Sequence, residues 1–293
     1  LFKVSKMSYS AQKKLIIVLF SVIPVALLLV FCYYPLVRMF EYSFTDWNGI
    51  SKDFNLVAFD NYKTIFSKPE YFKVFKTSIY YFLATFIQMG VALYFATVLS
   101  FKVKFKNFFK GAIFFPYLLN GVAIGFIFLY FFQPNGTLDT ILKAVGLGNH
   151  TQLWLGNPNI INISLAFTSI WRYMGGNFII FLGTIQSIDG EIYEAAEIDG
   201  ANRWRQFISI ILPNIKRIVV LNIVLGINGA LSVFEIPYIM TQGANGSKTF
   251  VIQTLDTGFK YQKLGLACSM AIVLLIISIS VTLIQKKFLS EED

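Results

Sequence analysis

The sequence predicts an all-α integral membrane protein of six transmembrane helices, with a polar helical loop on the cytoplasmic side between helices 4 and 5. Three observations carry that prediction. Apolar residues fill 56% of the 293 positions and charged residues only 14%, where a soluble domain carries charge at roughly a quarter of its positions. Mean hydropathy is +0.62, and the charges cluster between long runs that have almost none. The third observation is a single polar, mostly helical island, residues 189–213, in this apolar background.

Six runs reach the length of about 20 residues that a helix needs to cross the hydrocarbon core. They are 15–37, 77–100, 109–132, 160–185, 218–240 and 264–285, within one transmembrane domain over 1–293. None shows the period-2 alternation of a membrane barrel, so helices are expected. The first run is preceded by Lys13 and Lys14 but is too long for a signal-peptide core, and no small-residue cleavage site follows it; it reads as a retained anchor. Bulky Phe31 directly before Cys32 excludes a lipoprotein site. Cys32 and Cys268, each deep in an apolar run, read as inert buried thiols.

An even number of spans puts both termini on one side. Lys3, Lys6, Lys13, Lys14, Lys102, Lys104, Lys106, Lys110, Arg203, Arg205, Lys216, Arg217, Lys286 and Lys287 all fall on that side, and the positive-inside bias makes it the cytoplasm. The net charge of +9 is thereby explained by topology, and nucleic acid is not expected as a partner. The turn 101–110 interleaves basic and aromatic residues, which between two spans reads as a lipid anchor. The long outer connection 38–76 holds Trp47, Phe54, Phe59, Tyr62, Phe66, Tyr71 and Phe72. Two readings fit it, a docking surface for an external partner and a segment lying in the headgroups.

An integral-membrane enzyme using paired carboxylates is a competing reading, but the acidic residues cluster in loops and not at membrane depth. Residues 246–249, Gly-Ser-Lys-Thr, miss a phosphate-binding loop because Gln242 and Ser247 stand where glycine is required. His150 is the only histidine, which excludes a histidine metal cluster and a Ser-His-Asp arrangement. Polar residues within the spans are the better lead, since such groups face a bundle interior or a water-filled path. They are Gln88, Tyr117, Asn120, Arg172, Tyr173, Asn177, Asn222, Asn228, Glu235 and Tyr238. Amides, hydroxyls and aromatic rings suit a neutral polyhydroxylated solute, and a helix–helix hydrogen bond is the competing reading for each. The unmatched charges of Arg172 and Glu235 lead to the expectation that the two pair or share a permeation path.

In the polar island, Glu191, Glu194, Glu197 and Asp199 precede Arg203, Arg205, Lys216 and Arg217, an order that suits the helix macrodipole. Gly200 is expected to break the helix, a second helix to carry Ala201, Trp204, Ile208 and Ile211 on one face, and Pro213 to end it. An acidic interfacial helix is not attracted to anionic lipid, so a protein with a basic groove is the expected partner.

The spacing of Glu194-Ala195-Ala196, Gly200, Ile210 and Leu212-Pro213, with Asp199 before the glycine, resembles the EAA loop of bacterial ABC importer permeases. The run 42–48 (Tyr-Ser-Phe-Thr-Asp-Trp-Asn), Asn61-Tyr62, Trp171-Arg172 with Gly176, and Thr241-Gln242-Gly243 followed by Thr249 are similar to the maltose-type, MalF-like permeases of carbohydrate importers. The resemblance implies a multi-pass subunit of the bacterial cell membrane that is not itself an enzyme. Its partners would be a second, MalG-like permease, two ATP-binding subunits and an external solute-binding protein. It implies no cofactor in this chain, with ATP and Mg held by the ATPase subunits, and alternating access driven through Glu194 to Pro213 as coupling elements. A sugar, in such systems an oligosaccharide, is the implied solute. Two alternatives are carried beside it: a membrane scaffold that recruits a cytoplasmic protein through 189–213, and a permease for a non-sugar solute such as glycerol phosphate.

Overall fold

The computed structural model describes residues 8–290, with side chains described to residue 287; Lys3 and Lys6 of the charge argument lie outside the described residues. The helices in chain order are α1 (Tyr9–Leu28), α2 (Tyr34–Tyr42), α3 (Asp60–Ser67), α4 (Glu70–Lys73), α5 (Phe75–Ser100), α6 (Lys106–Leu118), α7 (Gly121–Phe132), α8 (Thr137–Ala144), α9 (Ile161–Gln186), α10 (Gly190–Ile198), α11 (Arg203–Gln206), α12 (Leu212–Leu231), α13 (Glu235–Thr241), α14 (Phe250–Leu255) and α15 (Leu264–Ser290). Among the described residues the only extended pairing is an isolated bridge between Thr45 and Leu56.

Among the described residues, four helical stretches are long and apolar enough to cross a membrane, Tyr9–Tyr42, Glu70–Ser100, Arg203–Thr241 and Leu264–Lys287; α6 and α7 together make a fifth, bent by 96°. The run expected as one helix over 109–132 is thus broken. Leu119 and Asn120 leave the helical region, and the Asn120 side chain accepts a hydrogen bond from Val122 N at 2.8 Å, capping α7. A cap satisfies an otherwise orphaned N–H, so an asparagine inside an apolar run can start a helix as well as line a path.

The run at 160–185 is α9, whose 26 residues give roughly 39 Å at 1.5 Å per residue, enough to span. It is not among the helices apolar enough by composition to be counted as spans, and several of its polar residues are buried. Asn162, Ser164, Thr168 and Ser169 are all buried on it, with Thr168 bonding back to Ser164 O at 3.1 Å and Ser164 to Trp154 O at 3.1 Å.

Two prolines sit just past π-helical turns. Leu29–Tyr33 precedes Pro35, and Phe207–Ile211 precedes Pro213. Proline lacks an N–H and its ring collides with the carbonyl four residues back, and the wider turn relieves both problems without stopping the helix. Pro213 therefore does not end the helix as expected: the segment from Arg203 runs through to Leu231. The extra residue in the π turn also rotates the face. Ile211 is buried while Trp204 and Ile208 are exposed, so the expected shared face of Ala201, Trp204, Ile208 and Ile211 does not form.

Packing groups the chain into two units. In the first, from Leu1–Ser67 and Thr254–Val273, the connection after α2 has structure of its own. Asn61 Nδ2 donates to Ser43 O and Thr45 O at 2.9 and 2.8 Å, and the Tyr62 hydroxyl lies 2.8 Å from Ser43 Oγ. The start of α15 docks on the same segment: Gly265 N donates to Trp47 O at 2.8 Å and Ser269 Oγ to Ser43 O at 2.8 Å. A side chain at Gly265 would meet the Thr45 carbonyl. Cys32 is exposed, which corrects its reading as a buried thiol, whereas Cys268 is half-buried.

The second unit, Lys68–Gln253 with Leu274–Asp293, contains two apolar clusters. One gathers Ala92, Ala96, Phe178, Phe181, Ile211 and Ile215 from α5, α9 and the helix through α12; the other gathers Ile124, Phe128, Ile161, Leu165 and Ile236 from α7, α9 and α13. Close approach rests on glycine at two places. A Cβ on Gly175 would lie 2.6 Å from the Ile113 carbonyl of α6, and one on Gly226 of α12 would run into the Thr85 methyl of α5.

Candidate functional site

The polar island folds as a helix–turn–helix. Asp189 caps α10 through a bond from Glu191 N at 3.1 Å. At the other end Ala201 N donates to Ala196 O at 2.8 Å and Gly200 N to Glu197 O at 3.1 Å, the paired bonds of a Schellman ending. Gly200 takes φ of +75°, which a side chain disfavours. Asn202 then caps α11, accepting from Arg205 N at 2.8 Å, and buried Gln206 donates to Ala201 O at 3.2 Å. The turn is thus held from both sides.

Of the motif residues, Glu194, Ala195, Asp199, Gly200, Leu212 and Pro213 are exposed, while Ala196 and Ile210 are half-buried. Ile198 beside them is 86% exposed, an apolar side chain left for something else to cover. Tyr193 faces the other way, into the cluster of α5, α9 and α12, and burial pushes its phenol pKa up. One side of α10 is therefore anchored and the opposite side is free.

A cavity of about 740 Å³ lies between α5, α6, α9, α12 and the α12–α13 break. That is within the range of small-molecule sites. Gln88, Tyr117, Tyr173, Asn177, Asn222 and Glu235 line it, together with Tyr81, Thr85, Phe114, Ser169 and Ser232. Four of the polar residues singled out from sequence lie elsewhere. Asn120 caps α7. Arg172 pairs with Glu235 and packs over the Tyr173 ring, 4.9 Å from its centroid. Asn228 donates to Val224 O and to Thr282 Oγ1 of α15, both at 2.9 Å, a helix–helix bond. Tyr238 packs against Phe234, the two rings tilted with centroids 4.8 Å apart.

The cavity wall is interrupted where α12 ends. Ser232 to Phe234 leave the helix, and Glu235 begins α13. Beyond α13 the turn 242–246 has four left-handed residues, and its Gly246 carbonyl accepts from Thr77 Oγ1 at 3.3 Å and Asn162 Nδ2 at 3.0 Å. This fixes the α13 end against α5 and α9, and with it the position of Glu235.

Residues 88–290 match the family model described as the binding-protein-dependent transport system inner membrane component. The chain belongs to this family. It is 31% identical over 283 residues to a probable ABC transporter permease protein, YurN, of Bacillus subtilis (strain 168), covering 94% of this chain and 97% of that one. It is 33% identical over 266 residues to the arabinooligosaccharides transport system permease protein AraP of the same organism, covering 88% and 83%. A crystal structure of a bacterial ABC transporter involved in the import of the acidic polysaccharide alginate has the same fold, with a TM-score of 0.84 over 96% of this chain and 97% of that one at 18% identity.

For a member of this transport family, the membrane cavity and the exposed α10 face are the two parts with work left over after folding. Tyr81, Thr85 and Ser169 escaped the sequence reading. Ser and Thr hydroxyls bond their own helix backbone so readily that these residues in a span carry little signal. A weak signal did exist, because Tyr81, Thr85 and Gln88 recur at three- and four-residue intervals on one helix face.

Proposed function

We propose that this chain is one permease subunit of an ATP-driven importer that moves a sugar, an oligosaccharide, across the bacterial cell membrane. The observation that carries this is the membrane cavity lined by amide, hydroxyl and aromatic side chains in a chain of the binding-protein-dependent transport family. Amides donate to and accept from hydroxyls, and tyrosine rings present faces to the apolar side of a pyranose or furanose. Relatives named for arabinooligosaccharides and for multiple sugars, and the structure solved with an alginate pentasaccharide-bound periplasmic protein, support a solute of that class delivered by an external binding protein.

In this reading a second permease completes the path, and two ATPase subunits holding ATP and Mg engage the exposed face of α10. Both termini lie in the cytoplasm, as the Lys and Arg distribution argues. Closure of the ATPase pair moves α10, and because Tyr193 and the Gly200 turn tie α10 to the bundle, the motion reaches α9 and α12 at the cavity. Glu194, Ala195, Ala196, Asp199 and Gly200 form the contact, while Ile210, Leu212 and Pro213 shape the π-turned helix behind it.

The test is reconstitution of the complete importer in proteoliposomes, with ATP hydrolysis and uptake followed against an oligosaccharide panel. Solute-stimulated hydrolysis and accumulation are expected. A chain that copurifies with no ATPase, or hydrolysis stimulated by glycerol phosphate and by no sugar, would overturn the proposal.

A further inference from the structure

We propose that the cavity selects neutral, hydroxyl-rich oligosaccharides over acidic ones, and that Glu235 is the residue that sets the preference. The inference rests on the reading of the cavity as a sugar path. No Lys, Arg or His lines the cavity among the described residues, and its single acidic side chain is Glu235.

The nearby cation is already committed. Arg172 is bound to Glu235, its side chain only 13% exposed against 37% for the glutamate, and its guanidinium packs over Tyr173. Gly121 closes the pair from the α7 side, where even a Cβ would meet both the guanidinium and the carboxyl group. An incoming uronate would meet a carboxylate first, and could reach the guanidinium only by displacing it. The pair carries no net positive charge to attract an anion, and stripping water from the uronate opposes its binding.

The neutral groups point the same way. Gln88 and Asn177, both half-buried, line the cavity with their amides. An amide both donates and accepts, and is matched by a sugar hydroxyl. A carboxylate can only accept. The alginate importer is described as moving an acidic polysaccharide, and its shared fold does not extend to shared cavity chemistry at 18% identity.

The test uses the complete importer in lipid nanodiscs without its binding protein, so that only the membrane cavity is probed. Hexose trisaccharides are titrated by calorimetry, and each that binds is compared with its C6-oxidised uronic acid. The neutral form is expected to bind at least about tenfold more tightly, and Glu235→Gln to narrow that ratio toward unity. Asn177→Leu is expected to weaken the neutral form several-fold. A uronic acid that binds wild type as tightly as its neutral parent overturns the selectivity and leaves sugar import standing. If no neutral trisaccharide binds, both the selectivity and the sugar reading of this cavity fall. Should Glu235→Gln fail to assemble, the wild-type comparison alone decides.

Discussion

Arg172, midway along α9, and Glu235 at the first turn of α13 form an ion pair beside Gly121 at the head of α7. The two residues are 63 positions apart in the chain. The pair fixes where α12 stops and where the cavity wall turns.

Breaking the pair should cost on the order of 2 kcal/mol, between the values for exposed and fully buried pairs. Arg172→Gln and Glu235→Gln are each expected to lower the melting temperature of the purified importer, with the double variant less destabilised than the sum. A double-mutant cycle checks this, and strict additivity would show that the contact contributes nothing.

Gly121→Ala is expected to destabilise although alanine is the better helix former, because its methyl occupies the space of the ion pair. Gly183→Ala, in α9 with nothing within 4 Å of its Cβ position, should be neutral or stabilising by up to about 1 kcal/mol. Thermal unfolding of the two variants side by side makes the comparison.

Gly200→Val should leave membrane insertion intact and reduce solute-stimulated ATP hydrolysis. A β-branched residue at φ +75° costs at least about 1–2 kcal/mol, which α10 relieves by giving up its Schellman ending. Hydrolysis and uptake measured on the same vesicles test it. Normal coupling would remove α10 from the mechanism proposed for it.

Asp139 of α8 is buried, accepting from Trp154 Nε1 and from Asn135 N, each at 2.8 Å. These bonds, led by the indole, hold its carboxyl pKa below the ordinary value. A depressed folded-state pKa means that the stabilisation is complete above the ordinary carboxylate value of about 3.9 and is lost as pH falls through the lowered one. The fluorescence of Trp154 should therefore hold steady from pH 7 down to about 4 and change only below that. Asp139→Ala should show the altered emission already at pH 7.

Much of the architecture could be read without coordinates. The six apolar runs all correspond to helical segments of the chain, and the spacing around Glu194 and Gly200 located a helix, a turn and a second helix before any contact was known. The expected pairing of Arg172 with Glu235 is present, whereas the expected helix end at Pro213 is not. The effect of Pro213, like that of Asn120 and Asn228, depends on which carbonyl, N–H or charge lies beside it.

What the sequence determined by itself was everything set by local composition and period: membrane class, helix positions, the polar island and the family resemblance carried by its spacing. The tertiary structure alone decided which polar residues face a common space. Side chains on α5, α9, α12 and α13 converge there through contacts between positions far apart in the chain. It also decided that Arg172 is spent on Glu235 while Tyr81 and Ser169 are left with unmade hydrogen bonds. A sequence states which groups can bond, and only packing states which partners they reach.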